Sequence, residues 1–179
     1  MKQIKTILII PLLFISLETI LEGRTRLYNE KVMSSSLTTA ITQDSMGYIW
    51  IGTEYGLNRF DGISFKEYLH NDNDPTSIKS NIVRSMLNDK DGRLWIGYLN
   101  GIQLYDPMTD SFNNVSFDTL KETPNIAEIH QLSSGKIWVE VSMLGIYEID
   151  PVTMSARKVT RLGDLCGSEN FLSIFEDIN

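Results

Sequence analysis

A single cysteine, Cys166, is all the thiol in 179 residues, which excludes an internal disulfide framework and any zinc site built on paired thiolates. Two histidines, His70 and His130, leave little material for a metal centre, and none is expected. Bases are short as well: 16 Lys and Arg stand against 23 Asp and Glu, giving a net charge of −7. A surface of that sign does not neutralise phosphates, so a nucleic-acid partner is not expected. No nucleophile–base arrangement, phosphate-cradling glycine loop or pair of catalytic carboxylates stands out, so neither catalysis nor a cofactor is expected of this chain. What is present, 42% apolar and 22% charged residues, is the composition of an ordinary globular protein.

Residues 1–23 differ from the rest. Lys2 and Lys5 precede an apolar run from Ile7 to Leu17, broken only by Pro11 and Ser16 and closed by Glu18. The run is too short to cross ~30 Å of hydrocarbon as a helix. A basic start before a short apolar stretch is the pattern of an export signal. Gly23 suits a cleavage site but Leu21 does not, so the segment reads as a signal peptide or an uncleaved membrane anchor, the one membrane contact expected. Residues 24–36 form a lead-in.

A repeat organises the remainder. Asp44, Gly47, Trp50, Gly52 and Gly56 recur as Asp89, Gly92, Trp95, Gly97 and Gly101, and again in part as Gly135, Trp138 and Gly145. The tryptophans are 45 and 43 residues apart. Units of that length made of short strands are propeller blades. The second unit reads as four strands, A to D, at 82–87, 93–97, 101–105 and 112–117. Turns rich in Asp, Asn, Gly and Pro separate them. The fold class expected is all-β: an incomplete β-propeller of about three four-stranded antiparallel blades plus the first strand of a fourth. Blades are placed at 37–69, 82–117 and 126–162, linkers at 70–81 and 118–125, and the start of a fourth blade at 170–179. Such a ring is not closed, so the chain is expected either to be part of a longer protein or to be a truncated product with no function of its own.

Most chemistry-bearing residues have structural readings. Trp50, Trp95 and Trp138 sit at one fixed point of each unit, which favours packing between blades over sugar stacking. Asp44, Asp89 and Asp91 fit turn capping better than calcium, because the remaining oxygen ligands of a calcium loop are missing. The run from His70 to Asp74 has no defined metal-ligand spacing. His130, beside Ile129, reads as an interior or pore-facing side chain. In the third unit Glu140 stands where glycine is expected and Leu132 where the acid is expected.

The pattern Asp-x-x-Gly-x-Ile/Leu-Trp-Ile-Gly-Thr, followed by Gly-Leu and an aromatic-Asp pair, resembles the two-component regulator propeller repeat. Asp44, Gly47, Trp50, Ile51, Gly52, Thr53, Gly56, Leu57, Phe60 and Asp61 carry it, and the second unit carries it with Tyr98 in place of the threonine. The resemblance implies the exported sensor region of a hybrid two-component protein, similar to those that control polysaccharide use. It implies a periplasmic location, an oligosaccharide or other small ligand, and a longer parent with a kinase that could be homodimeric. No kinase motif is present in this chain.

Antiparallel strands put the A–B and C–D turns on one face of the disc, and the B–C turns and inter-blade linkers on the other. Variable loops on a rigid scaffold carry function. Ligand contacts are therefore expected on the second face, at Glu54, Tyr55, His70, Tyr98, Asn100 and Ser142, with Tyr55 and Tyr98 as stacking platforms. Competing classes are a propeller enzyme of quinoprotein or polysaccharide-lyase type and a protein-interaction propeller. The Ala and Thr-Gly elements of the first and the Gly-His and Trp-Asp pairs of the last are missing.

Overall fold

The computed structural model describes residues 33–118, 120 and 123–159; the export segment, Cys166 and the start of a fourth blade lie outside them. Everything regular among the described residues is strand. The first blade is β1 (Thr38–Gln43), β2 (Ile49–Thr53), β3 (Gly56–Phe60) and β4 (Phe65–Tyr68), hydrogen-bonded in that order. The second is β5 (Val83–Asn88), β6 (Leu94–Tyr98), β7 (Gly101–Asp106) and β8 (Ser111–Asn114). A two-residue strand, β9 (Ser116–Phe117), precedes the third blade of β10 (Ile126–Gln131), β11 (Ile137–Val141), β12 (Gly145–Asp150) and β13 (Ser155–Lys158). Pairing within each blade is antiparallel. Among the described residues no helix is long and apolar enough to cross a membrane.

One strand departs from the sequence expectation. The outer strand of the second blade, read as one segment over 112–117, ends at Asn114. The Val115 amide then donates to the Ile102 carbonyl at 3.1 Å while its side chain enters the core. That turns the next two residues away, and β9 pairs in parallel with β13 of the third blade. A sheet edge that would otherwise present unpaired backbone is thereby covered.

The core lies between blades, not within them. Side chains alternate across a strand, so Trp50 and Gly52 face the second blade while Leu94, Ile96 and Tyr98 face back to the first. Trp95 likewise joins Ile137, Val139 and Val141 of the third, and Gly97 faces Ile126 and Ile129. Strand β6 is therefore buried on both faces. Burial of a large apolar side chain contributes roughly 1.5–3 kcal/mol, and each joint holds several.

The glycine after each of these tryptophans has a steric cause. A Cβ on Gly52 would lie 2.5 Å from Val83 Cγ1, and one on Gly97 would lie 2.6 Å from Ile126 Cγ2. Only hydrogen lets the next blade's first strand come so close. Both partners sit at a register shift, Val83/Ser85 and Ile126/Glu128, where an extra residue is inserted in the strand.

Candidate functional site

The repeated aspartates do more than cap turns. Asp44 accepts from the amides of Met46 and Tyr48, both at 2.9 Å, and from Trp50 Nε1 at 2.7 Å. Asp89 repeats this with the amides of Asp91 and Arg93 and with Trp95 Nε1 at 2.8 Å, and adds Arg93 Nε at 2.7 Å. Burial pushes the Asp89 carboxyl up, but the bonds from Trp95 and Arg93 outweigh it and hold it below the ordinary range. One carboxylate thus closes the turn and satisfies an indole N–H buried between blades. The six-residue spacing from acid to tryptophan was visible in both units, but turn capping alone accounted for the acid. In the third blade, where Leu132 replaces the acid, Trp138 Nε1 donates to Glu148 at 3.3 Å. Glu148 lies directly across the strand pair from Trp138 and also accepts from Lys136 Nζ at 2.9 Å and Arg157 at 3.1 Å.

The expected loop face does not form one site. Tyr55 is 62% exposed and stands in the turn after β2. Tyr98, expected as a second stacking platform, is a correction: its ring is fully buried, packed between the first two blades, with no hydrogen-bond partner for its hydroxyl. Strand alternation places Tyr98 on the face of β6 that meets the first blade, so no sugar can reach it. His70 turns into its own linker, with Nδ1 2.7 Å from the Ile78 carbonyl and Nε2 3.0 Å from Asp72. Asn100 donates to the Lys79 carbonyl at 3.2 Å and lines a hollow of about 240 Å³ with Phe117 and Pro124. The hollow that includes His70 is a different one, of about 200 Å³. Glu54 and Ser142 join neither; their amides bond to the Leu37 and Asn125 carbonyls, tying loops to neighbouring segments. Among the described residues no three His, Cys, Asp or Glu side chains converge as a metal site would require.

The opposite face, formed by the A–B and C–D turns, holds two related grooves. Between the first and second blades, Trp50 stacks on Tyr68 at 5.5 Å between ring centroids, and Tyr105 and Phe112 pack on them edge-on or tilted at 4.7–5.3 Å. Arg59 lies over the Tyr48 and Trp50 rings at 4.8 and 5.6 Å. Asp110 reaches across from the second blade, accepting from the hydroxyls of Tyr68 and Tyr105 at 2.7 Å each, from Arg59 at 3.4 Å and from Lys66. Partial burial pushes its carboxyl up, but the bonds from Lys66, Tyr105 and Tyr68 prevail and bring it to about 2. Burial, and then the bond to Asp110, push the Tyr105 hydroxyl up to about 12. What stays open is about 320 Å³.

Between the second and third blades the same positions carry smaller or aliphatic groups. The turn Asp106-Pro-Met-Thr-Asp110-Ser-Phe112 becomes Asp150-Pro-Val-Thr-Met154-Ser-Ala156. Met154 keeps the left-handed backbone of Asp110, at φ 52° against 53°. Ile149 replaces Tyr105, and Leu104 replaces Arg59. A hollow of about 800 Å³ runs from Arg93 and Ile149 round the turns of the third blade to Lys136 and Glu148 on that blade's opposite face.

The sequence profile of the two-component regulator propeller matches residues 33–55 and 77–100. The fold is similar to the extracellular domain of the hybrid two-component system BT3049 from Bacteroides thetaiotaomicron, at 25% identity and a TM-score of 0.72, covering 83% of this chain and 22% of that one. A second such domain from the same organism, BT4673, aligns at 22% identity and a TM-score of 0.62, covering 74% of this chain and 19% of that one. A histidine kinase from Formosa agariphila is 50% identical over 46 residues, which is 26% of this chain and 3% of that protein. The chain thus spans about a fifth of the length of the extracellular domains it matches. Residues 33–55 and 77–100 thus match two-component regulator propeller repeats, and the blades are folded like those of extracellular domains of Bacteroides hybrid two-component systems.

Proposed function

We propose that this chain is part of a sensor propeller that acts outside the cytoplasm, binds an oligosaccharide, and belongs to a hybrid two-component protein with a kinase. The observation that carries the reading is the Asp–Trp–Gly repeat, which matches the regulator-propeller profile twice and whose blades are similar to those of an extracellular two-component domain. The basic and apolar residues 1–23 support export by the signal logic set out above. The blades supply a rigid frame and the ligand supplies differential contacts, which is what a sensor needs to shift a conformational equilibrium.

Two experiments test this. Alkaline phosphatase fused after residue 36 is expected to be active in intact bacteria, and an inactive fusion would overturn export. Calorimetric titration of the chain against a glycan panel is expected to give saturable heats for at least one oligosaccharide. Silence across the panel would overturn the saccharide reading.

A further inference from the structure

The groove between the first and second blades holds an arginine with donors to spare. Arg59 lies over the Tyr48 and Trp50 rings, and its Nη1 donates to the Tyr105 hydroxyl at 2.7 Å and to Asp110 at 3.4 Å. Among the described residues nothing accepts from its Nε or Nη2, the edge whose two parallel N–H bonds fit a carboxylate or sulfate. The Tyr48 hydroxyl has no partner among them either. Both side chains line the hollow of about 320 Å³, inside the ~300–1,000 Å³ span of small-molecule sites. The carboxylates that share the lining are already engaged. Asp44 accepts from two amides and an indole, and Asp110 from Arg59, Lys66 and two tyrosines. What the hollow offers a ligand is therefore donors, and a group that only accepts is the fit. With 21% of its side chain accessible, Arg59 is within reach yet partly shielded from water, which strengthens a charge-assisted bond. Blade packing does not require this arginine, because Leu104 holds its position between the second and third blades.

We propose that this groove is the site of an acidic sugar: the Nε and Nη2 edge of Arg59 clamps a carboxylate or sulfate ester of an anionic oligosaccharide, with the Tyr48 hydroxyl as a further donor. The proposal rests on the saccharide-sensing reading above and adds to it both a place and a charge class. Because the chain carries a net charge of −7, the anion is held by this fork and not by the general field of the protein. Met46 lines the same hollow from the A–B turn and is 71% exposed, so the charge beside the fork can be varied without touching it.

The test uses the full chain and calorimetric titration at neutral pH with two probe sets, anionic (oligogalacturonate, sulfated dextran fragments) and neutral (cello-, xylo-, manno- and malto-hexasaccharides). At least one anionic probe is expected to bind, about tenfold or more tighter than any neutral one, and which of the two binds tells carboxylate from sulfate. Arg59→Lys keeps the charge and loses the fork, so it is expected to weaken that binding about tenfold. Met46→Glu is expected to weaken it about threefold and Met46→Lys to tighten it about threefold. Val152→Glu, the same added charge on an exposed turn of the third blade, is the control and should leave it unchanged. Circular dichroism and melting temperature confirm that each variant is folded, and the Met46 pair is read alone if Arg59→Lys melts early. Anionic binding that is indifferent to the Met46 pair would overturn the place while leaving saccharide sensing intact. Neutral hexasaccharides binding alone, or as tightly as the anionic probes, would overturn the charge class. Silence of every probe would overturn the saccharide reading itself, and this proposal with it.

Discussion

The two joints between blades share one half and differ in the other. In both, a tryptophan is held by an aspartate at 2.7–2.8 Å, and a glycine lets the next blade's bulged strand approach. On the turn side the first joint is closed by packed rings and a carboxylate latch, whereas the second carries aliphatic groups and no such latch. The inner half is the scaffold, because it repeats with the strands and has no room to vary. The outer half is free to diverge, because a turn-side substitution leaves the close blade contact intact.

The largest expected effect tests the shared half. Trp50→Ala and Trp95→Ala each remove a fully buried indole and one hydrogen bond to the turn aspartate, half-buried at Asp44 and buried at Asp89. Each should cost about 3–5 kcal/mol, measured as a lower urea midpoint by circular dichroism. Trp138 is only partly buried and its indole bond is longer, 3.3 Å. Trp138→Ala should therefore cost roughly half as much or less. Equal losses at all three positions would erase the distinction between the two buried joints and the third blade's outer face.

Next come the glycines. Gly52→Ala and Gly97→Ala drive a methyl group into Val83 or Ile126, and the strand must shift to admit it. Overpacking of this kind costs about 1–3 kcal/mol, read from the same unfolding curves. Gly135→Ala is the contrast: its Cβ would meet nothing within 4 Å, but its φ of 86° favours glycine. Its cost should come from backbone strain alone, about 1 kcal/mol.

The frame was legible in the sequence because it repeats there. Trp50 and Trp95 are in register, and so are the glycines that follow them; strand alternation then assigns their faces. The grooves were not legible, because each is built by residues from two different blades, so Tyr105 matters through Tyr68 and Arg59, which lie a blade away. The loss of the latch is written in the turns, Asp110 and Phe112 against Met154 and Ala156, but in their content and not in their spacing. Tyr98 was misplaced because its repeat position was read as a loop end, whereas it is the last residue of β6 and takes that strand's buried alternation. Val115, which sends β9 to the next blade, has no counterpart in the repeat pattern to announce it.

A smaller effect probes the first groove's latch. Asp110 ionises at about 2 in the folded protein, below the ~3.9 of an unfolded chain. A depressed carboxyl stabilises the fold above the unfolded value, and the contribution declines as pH falls from about 4 toward 2. The latch is partly exposed, with 35% of the Asp110 side chain accessible, so solvent screens it. Asp110→Asn should cost about 0.5–1 kcal/mol at pH 7. The gap between its melting curve and that of the parent should close across that acid window. A gap that persists at pH 2 would mean that the latch acts through shape and not through charge.

The smallest effect lies on the third blade's outer face, at Glu140. This residue occupies the position of Gly52 and Gly97, yet it is buried, 6% exposed. Burial first and the nearby Glu128 second raise its carboxyl above the ordinary range, while His130, whose Nε2 lies 2.8 Å from Glu128, works the other way. A raised carboxyl reverses the sign found at Asp110: the neutral form suits the fold, and stability is lost as pH rises from the unfolded value through the folded one. Glu140→Gln keeps the shape and removes the charge, so it should stabilise the chain at pH 7 by about 0.5 kcal/mol. Below the ordinary Glu range both side chains are neutral, and the two proteins should melt together. A variant that melts no higher than the parent at pH 7 would show that the Glu140 carboxylate is accommodated as an ion, and the third blade's outer face would then be a charged surface, unlike the glycine contacts at Gly52 and Gly97.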